Sequence, residues 1–423
     1  MSVLTEEQAR AYMHKLLGAM SRAGGSDLFI ANDFPPSMKL QGDMQALTEQ
    51  KLSADLTKVL ANSLMNDVQR AEFAKEMECN FAISIPGLSR FRVNVYVQQK
   101  CVGMVIRTIA AEIPNFEKLE LPEVLKDVVM TKRGLVLVVG GTGSGKSTSL
   151  AAMIDYRNRT SAGHIITVED PVEYVHASRK SLLTHREVGV DTQSWHHALK
   201  NTLRQAPDVI LIGEIRDAET MEHAIAFAET GHLCLGTLHA NSASQTIERI
   251  INFFSEERRP QLLMDLSANL RSIVSQRLIQ REDGKGRVAA IEILLNTPTM
   301  AERILLGEFH EINGIMGKSR ELGMQTFDWA LLEFYNTGAI GFDDAMRNAD
   351  SANELRLNIK LKSARGEPAH SDFMSLTIDE SPTAQEIEEQ KHQEMQAQQE
   401  ARRRQEDEEI RQMRERRAAS AKA

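Results

Sequence analysis

The sequence predicts an α/β protein made of an N-terminal α+β domain and a following parallel-sheet domain, and three observations indicate this fold class. The first part joins an amphipathic helix to strands of alternating polarity. The second part alternates short apolar strand candidates with helical patterns, as buried parallel sheets do. The stretch GGTGSGKST at 140–148 lies between one such strand and a helix. The predicted boundaries are 1–112 for the first domain, 113–122 for a linker, 123–360 for the second domain and 361–423 for a charged tail.

The N-terminal domain is predicted to begin with a helix, because Thr5 and Gln8 form a capping box. An apolar stripe at helical spacing follows and stops at Gly24 and Gly25; its members are Tyr12, Met13, Leu16, Leu17 and Met20. Strands are predicted at 27–30, 90–97 and 102–109. Within 90–97 apolar and polar residues alternate, which is typical of a half-buried strand.

The second domain is predicted to begin after Pro114 and Pro122, where the pattern breaks and short apolar runs start. Its strand candidates lie at 135–139, 164–168, 209–212 and 233–237, with helical patterns between them. Residues 255–340 read as mostly helical, and only 288–295 offers a further strand. One helix face there is predicted to carry Leu262, Leu263, Leu266 and Leu270.

The tail after about Leu361 is rich in Glu, Gln, Arg, Lys and Ala and has no sustained apolar seam. This composition predicts a solvated segment, disordered or a fraying helix. A helix that docks on a partner is the alternative.

The stretch at 140–148 has the spacing of a phosphate-binding loop. Glycines allow successive backbone N–H groups to point inward, Lys146 reaches the β- and γ-phosphates, and the Ser147 hydroxyl can bind Mg²⁺. The start of the following helix adds its positive dipole end. The predicted ATP-binding residues are Gly140, Thr142, Gly143, Ser144, Gly145, Lys146, Ser147 and Thr148. The second domain is therefore interpreted as a RecA-like nucleotide-binding core.

Carboxylates follow two of the predicted parallel strands, which end at one edge of the sheet. In IITVEDPVEY the strand ends at Glu169, and in DVILIGEIRD it ends at Gly213 and Glu214. An acid usually follows such a strand directly, but here that position is Gly213. Glu214 is therefore predicted to orient the attacking water and to share Mg²⁺ with Glu169 and Ser147. In the alternatives, Glu214 only pairs with Arg216 and the Glu-Asp-Pro segment only forms a turn.

Histidines and arginines complete the candidate site. His232 and His239 flank a short strand; His232 is equally well explained as structural, whereas His239 is placed to donate to the γ-phosphate. Arg92 and Arg107 belong to the first domain and could approach the nucleotide if that domain docks. Ion pairs at the surface would explain these arginines equally well.

Composition excludes several classes of function. The net charge is -9 over 423 residues, which does not favour nucleic acid as a partner. The three cysteines form no C-x-x-C pair, so neither a zinc site nor a disulfide framework is expected. The charged N-terminus and the lack of a long apolar run predict a cytoplasmic protein that meets the membrane only through partners.

The four stretches GGTGSGKST, IITVEDPVEY, DVILIGEIRDAET and TGHLCLGTLHANSASQTIERI, in this order, resemble the secretion-type hexameric ATPases, and most closely the type IV pilus retraction motors of the PilT/PilU class. GGSDLF at 24–29 and RFRVNVY at 90–96 are similar to the N-terminal domain of that family, which implies a PAS-like fold. The C-terminal region is more similar to the accessory PilU-type members than to the main retraction motor.

The resemblance implies a homo-hexamer in which ATP hydrolysis powers pilus retraction and twitching motility. It gives the nucleotide and catalytic roles to Lys146, Ser147, Glu169, Glu214 and His239. It implies the main retraction ATPase and a platform protein of the inner membrane as partners. A pilus-assembly or type II secretion ATPase, a nucleotide-binding structural subunit and a RecA-like DNA ATPase remain as alternatives.

Overall fold

The computed structural model describes residues 4–40, 43–109 and 113–366. The predicted tail at 361–423 therefore lies outside the described residues from position 367 onwards. Among the described residues, no helix combines the length and the apolarity that crossing a membrane requires.

The N-terminal part is a six-stranded antiparallel sheet in the order β3-β2-β1-β6-β5-β4. Its elements are α1 (Glu6–Ala23), β1 (Asp27–Ile30), β2 (Ser37–Leu40), β3 (Asp43–Ala46), α2 (Ala54–Leu64), α3 (Asp67–Glu76), β4 (Glu78–Ile85), β5 (Ser89–Gln98) and β6 (Cys101–Ile109). The predicted helix is confirmed with its capping box, and Gly24, which caps its C-terminal end, has the left-handed conformation. The three predicted strands are confirmed as β1, β5 and β6.

Alternation along β5 explains how this sheet forms its core. Phe91, Val93 and Val95 are fully buried and pack with the apolar stripe of α1, while the polar residues between them face the other side. This arrangement leaves the arginines of β5 on the face that looks away from α1.

The second part is a seven-stranded sheet in the order β13-β12-β7-β11-β10-β8-β9. The elements up to β11 are α4 (Phe116–Leu119), α5 (Val124–Met130), β7 (Gly134–Val139), α6 (Lys146–Thr160), β8 (Gly163–Glu169), β9 (Ser181–Glu187), α7 (Trp195–Thr202), β10 (Val209–Ile212), α8 (Ala218–Glu229) and β11 (Leu233–Leu238). All four predicted strands are confirmed, and they pair in parallel.

The remaining elements are α9 (Ala243–Asn252), α10 (Arg259–Asn269), β12 (Leu270–Gln280), β13 (Arg287–Leu295), α11 (Pro298–Leu306), α12 (Ile312–Lys318), α13 (Phe327–Thr337), α14 (Phe342–Asn348) and α15 (Ala352–Lys362). Short 3₁₀ turns lie at Leu203–Gln205, Glu256–Arg258, Phe309–Glu311 and Arg320–Leu322. The prediction of a mostly helical C-terminal part is confirmed.

Helices cover both faces of the central sheet, and this explains the uninterrupted apolar strands. Leu135, Leu137 and Val139 of β7 pack with α7 to α11 on one face. Val136 and Val138 pack with α4, α5 and α6 on the other. A strand that is buried on both sides has no polar positions to alternate with.

Two predictions about the C-terminal part are wrong. The segment 288–295 is not the only further strand there, because β12 (Leu270–Gln280) also lies in it. Leu270 does not continue the helix face of Leu262 and Leu266, because α10 ends at Asn269 and Leu270 begins β12. The strand β12 lies between β7 and β13 and buries polar residues that hydrogen-bond inside the protein. Ser275, for example, donates to Glu292 at 2.9 Å. These polar residues conceal the strand pattern in the sequence.

Candidate active site

The loop between β7 and α6 is held in a shape that requires glycine. Gly140 has φ 151°, and a Cβ there would lie 2.4 Å from Oγ of Ser144 and 2.5 Å from the carbonyl oxygen of Gln276. Gly145 has φ 89°, and its Cβ would lie 2.7 Å from Nε2 of Gln276. The loop therefore rests directly on β12, and a side chain at either position would push it away.

The loop forms a cradle suited to phosphate. Its lysine, Lys146, donates from Nζ to the carbonyl oxygens of Gly140 at 2.9 Å and Gly141 at 3.0 Å. Burial lowers the pKa of Lys146, and the nearby charge of Glu214 partly opposes that shift. The hydroxyl of Ser144 is buried without a protein partner. The N-terminal end of α6, a cation and an unpartnered hydroxyl together provide donors for an anion.

The Glu169 loop, residues 169–174, follows β8 and is turned inward. Glu169 is buried, and its Oε2 accepts a hydrogen bond from the backbone N–H of Glu173 at 3.3 Å. Burial raises the pKa of Glu169 to about 7, although hydrogen bonds from Thr167 and Glu173 oppose this. The Tyr174 hydroxyl lies 3.0 Å from Oγ1 of Thr148, so the loop is joined to the start of α6.

The Glu214 loop, residues 213–217, follows β10 and faces outward. Glu214 pairs with Arg216 at 2.6 Å, as the alternative interpretation expects, and its other oxygen lies 3.1 Å from Nε2 of His239. Burial alone would raise the pKa of Glu214, but the hydrogen bond and charge of Arg216, with His239 and Lys146, lower it overall. The carboxylate is thus ionised and oriented from two sides.

Gly213 explains why no acid follows β10 directly. A Cβ at this position would lie 3.1 Å from Cα and 3.1 Å from Cγ of Glu169. The backbone N–H of Gly213 donates to Val168 at 2.8 Å, which holds the two strand ends together. Glu169 already fills the space that an acid at 213 would need, so the second carboxylate comes one residue later.

The N-terminal part reaches the same region through arginines. Arg107 pairs with Asp27 at 2.7 Å and lines the cleft beside the phosphate loop. Burial raises the pKa of Glu173, and the charges of Arg92 and Arg107 oppose that shift. Arg107 therefore lies at the cleft, whereas Arg92 acts on it only as a nearby charge.

A further arginine, Arg90, makes the direct connection that sequence reasoning missed. Its Nη2 forms an ion pair with Oε2 of Glu187, which is buried at the end of β9. The same oxygen of Glu187 accepts the backbone N–H of Val172 at 3.1 Å. Arg90, Glu187 and the Glu169 loop are therefore joined in one chain of hydrogen bonds between the two parts.

The cleft enclosed by these elements has a volume of about 490 Å³. Most of the predicted site residues line it: Thr142, Gly143, Ser144, Gly145, Lys146, Ser147, Thr148, Glu169, Glu214, His239 and Arg107. The cleft also includes Tyr174, Trp195, Leu278 and Arg287, which the sequence analysis did not identify. Arg287 lies at the start of β13, outside the four motifs, so no sequence pattern marked it as a site residue.

His232 lies elsewhere. Its Nδ1 is 3.1 Å from the hydroxyl of Thr230 and 3.3 Å from the carbonyl oxygen of Phe227, at the opposite end of β11 from His239. The structural interpretation of His232 accounts for these contacts.

The arrangement can bind a triphosphate and assist attack on its terminal phosphorus. Donors and a cation line one wall, and an ionised, oriented carboxylate faces them from the end of β10. Hydroxyl and carboxylate oxygens are the ligands that Mg²⁺ prefers, and Ser147, Glu169 and Glu214 supply them within this cleft. The residues present therefore fit a bound Mg²⁺.

Comparison with known proteins gives a consistent result. Residues 12–335 match the family model described as type II/IV secretion system protein. The chain is 58% identical to the type IV pilus ATPase PilU of Pseudomonas aeruginosa over 85% of this chain and 94% of that protein. It is 42% identical to the type IV pilus retraction ATPase PilT of the same organism, over 79% of this chain and 97% of PilT.

Solved structures agree. A crystal structure of the pilus retraction motor PilT with bound ADP superimposes with a TM-score of 0.75 at 38% identity, covering 82% of this chain and 98% of that chain. The Legionella pneumophila ATPase DotB gives a TM-score of 0.71 at 25% identity, over 82% of this chain and 96% of that chain.

Proposed function

Because this chain belongs to the type II/IV secretion system protein family, we propose that it is an ATP-driven motor that powers the retraction of type IV pili in twitching motility. The observation that carries the proposal is a complete nucleotide cleft in a chain 58% identical to PilU along most of its length. The protein is an ATP-hydrolysing enzyme like its PilU and PilT relatives, and its work is pilus retraction, the activity named for PilT.

Individual roles in the reaction follow from the contacts. The backbone of 140–145 and Lys146 would bind the phosphates, and Thr148 would tie the start of α6 to the Glu169 loop. Glu214 would orient the water, since its two oxygens are already held by Arg216 and His239. His239 would contact the γ-phosphate and pass its presence to Glu214.

Ser147, Glu169 and Glu214 would hold Mg²⁺, which when bound neutralises the charge of the phosphates. The contribution of the chain is the position of these oxygens. Glu169 is held in place by its own loop, because its Oε2 accepts the backbone N–H of Glu173.

Work would arise from movement of the N-terminal part against the cleft. Arg107 lies at the cleft wall, Arg92 contributes charge, and Arg90 is bonded to Glu187 beneath the Glu169 loop. Binding of a triphosphate adds negative charge that attracts these arginines, and phosphate release removes it. The difference between the two states would drive the stroke.

The assembly that we propose is a ring of six chains at the inner-membrane face of the pilus machine in the cytoplasm. In this assembly the chain would act as an accessory ATPase beside the main retraction motor, its paralogue, and on a platform protein of the inner membrane. Similarity to PilU supports the accessory role. We expect no nucleic acid to take part.

The first experiment compares Lys146→Ala with Lys132→Ala in purified chain, alone and mixed with the main retraction motor. Lys132 is an exposed lysine before β7, at the other end of the strand that carries the phosphate loop. We expect Lys146→Ala to abolish hydrolysis, Lys132→Ala to keep it, and the mixture to turn over faster than either protein alone. Wild-type chain that neither binds Mg-ATP nor joins a ring would overturn the proposal.

A second experiment separates the rival functions in cells. Loss of this chain should leave pili present and retraction impaired, and Lys146→Ala should not restore retraction. Loss of the fibres would instead support an assembly motor. Full rescue by Lys146→Ala would support a structural subunit.

A further inference from the structure

A group of potential metal ligands lies between α7 and α8, outside the cleft. His196 on α7 and Glu219 and His223 on α8 each offer one ligand atom, and the three atoms lie within 4.8 Å of one another. We propose that these three side chains bind one divalent transition-metal ion of the Zn²⁺ class.

The sequence places two of the three ligands together by helix geometry alone. Glu219 and His223 are four residues apart, so they lie one turn apart on the same face of α8. The start of that helix is fixed, because Asp217 accepts the backbone N–H of Thr220 at 2.8 Å. Glu219 and His223 are thereby fixed on one face of α8, and a metal site needs a third ligand from another helix.

His196 supplies that side chain from the first turn of α7. Ser194 caps this helix by accepting the backbone N–H of His197 at 3.2 Å. The ring of His196 lies 6.3 Å from that of His223, and its Nδ1 hydrogen-bonds to Oε1 of Glu219. A surface ion pair would need only His196 and Glu219, whereas here His223 offers a third ligand atom beside them.

The ligand chemistry indicates the metal. Two imidazole nitrogens with one carboxylate oxygen suit Zn²⁺ and its neighbours, whereas Mg²⁺ and Ca²⁺ prefer oxygen alone. Ligands of one tetrahedral Zn²⁺ lie about 3.4 Å apart. The three atoms here lie within 4.8 Å of one another, so none needs to approach another by more than about 1.4 Å, and the hydrogen bond between His196 and Glu219 must open. His196 and Glu219 are exposed, so solvent can fill the fourth position.

The three ligands lie at the start of two helices that begin beside the nucleotide cleft. The helix α7 begins with Trp195, which lines the cleft, and α8 begins directly after the Glu214 loop. A metal ion here would join the first turns of two helices that start at the rim of the cleft. It would therefore restrain Trp195 relative to the Glu214 loop.

The test uses the full, untagged chain, stripped with EDTA and free of nucleotide. Zn²⁺ binding is measured by titration calorimetry, and Co²⁺ is added separately to record the visible absorption of a site with nitrogen ligands. We expect one ion per chain at micromolar affinity, and at least a tenfold loss of affinity in His196→Gln. The melting temperature should rise with Zn²⁺ in the wild type and not in the variant.

The matched control is His197→Gln, which removes the neighbouring exposed histidine and leaves the three ligands in place. It should bind Zn²⁺ as the wild type does. His223 stacks on Phe227 at 6.0 Å, so His223→Gln can also disturb packing; Glu219→Gln, at an exposed residue, serves as the second ligand variant. Unchanged affinity in both His196→Gln and Glu219→Gln, or no stoichiometric binding to the wild type, would overturn the proposal.

Discussion

The Glu169 loop and the Glu214 loop follow neighbouring parallel strands to the same edge of one sheet, yet the pKa values of their carboxyl groups are shifted in opposite directions. Burial raises the pKa of Glu169 to about 7, while Arg216 and His239 outweigh burial and lower the pKa of Glu214. Glu169 is the last residue of β8, and Glu214 lies two residues beyond the end of β10. Both carboxyl groups line the cleft, and this shift along the chain leaves Glu169 buried and Glu214 more exposed.

The two loops are also tied to different parts of the molecule. The Glu169 loop is bonded through Val172 and Glu187 to Arg90 of the N-terminal sheet. The Glu214 loop is bonded to β11, where the backbone N–H of Ile215 donates to Thr237 at 2.8 Å. One loop is thus bonded to the N-terminal sheet, and the other to β11, which ends one residue before His239. The movement and the chemistry that we propose would therefore meet at the same sheet edge through separate connections.

Glu214→Gln should have the largest effect. Because the amide cannot accept a proton or hold the water as the carboxylate does, we expect hydrolysis to fall by about 10³-fold while ATP binding is kept. Turnover and nucleotide affinity are measured in parallel. Glu248→Gln, an exposed acid on α9, is the control. Normal hydrolysis by Glu214→Gln would show that the carboxylate of the Glu214 loop does not orient the attacking water.

Glu169→Gln should reveal the buried carboxyl through its pH dependence. A neutral Glu169 favours the folded state below its ordinary pKa of 4.5, and that advantage is lost as pH rises through about 7. Wild type should therefore lose up to about 3 kcal/mol relative to the variant over this range. Melting temperatures in EDTA without nucleotide, from pH 5 to pH 8, measure it.

A constant difference in melting temperature across that pH range would contradict the assignment. The same series on Glu214→Gln provides the contrast. Its carboxylate has a lowered pKa, so its stabilising contribution is present above 4.5 and is lost only as pH falls. From pH 5 upward its difference from wild type should stay flat.

Arg90→Met should loosen the connection between the Glu169 loop and the N-terminal sheet. It leaves the buried Glu187 carboxylate without its cation, at a cost of about 2 kcal/mol because Arg90 is partly exposed. Denaturant unfolding measures the loss, with Arg22→Met at an exposed site on α1 as control. Hydrolysis should become less responsive to the main retraction motor, and an unaltered response would show that the connection carries no movement.

Gly213→Ala should have the smallest effect. Its Cβ would lie 3.1 Å from two atoms of Glu169, which must shift by a few tenths of an ångström, so we expect a loss of about 1 kcal/mol in stability. Hydrolysis should fall a few-fold. Gly314→Ala in α12, where a Cβ meets nothing within 4 Å, is the control. Equal behaviour of the two variants would remove the steric reason for the position of Glu214.

Sequence patterns predicted those parts of the molecule in which a single requirement, such as burial or local backbone geometry, determines the residues. Burial on both faces made the strands β7 and β10 continuously apolar and β8 and β11 mostly so, and half-burial made β5 alternate. The phosphate loop could be predicted because its glycines serve local backbone geometry. Glu169 and Glu214 could be placed at the same sheet edge because parallel strands end at one edge.

The rest depended on contacts between distant segments. The strand β12 was concealed by buried polar residues such as Gln276, whose partner Ser149 lies 127 positions away. The strand β9 and its Glu187 carry no apolar pattern, and the pairing with Arg90 joins the two sheets. Arg287 and Trp195 reach the cleft from elements outside the four motifs. Long-range partners of this kind leave no periodic trace in one sequence.

The support that β12 gives to the phosphate loop has a consequence for timing. Gly140 and Gly145 are seated on Gln276, and Ser149 is bonded to its side chain at 2.8 Å, so the cradle is rigid before any ligand contact is counted. A rigid cradle grips a diphosphate nearly as well as a triphosphate, since both present the same two inner groups. Spent nucleotide should thus have a long residence time, and its exchange, rather than bond cleavage, would pace each cycle.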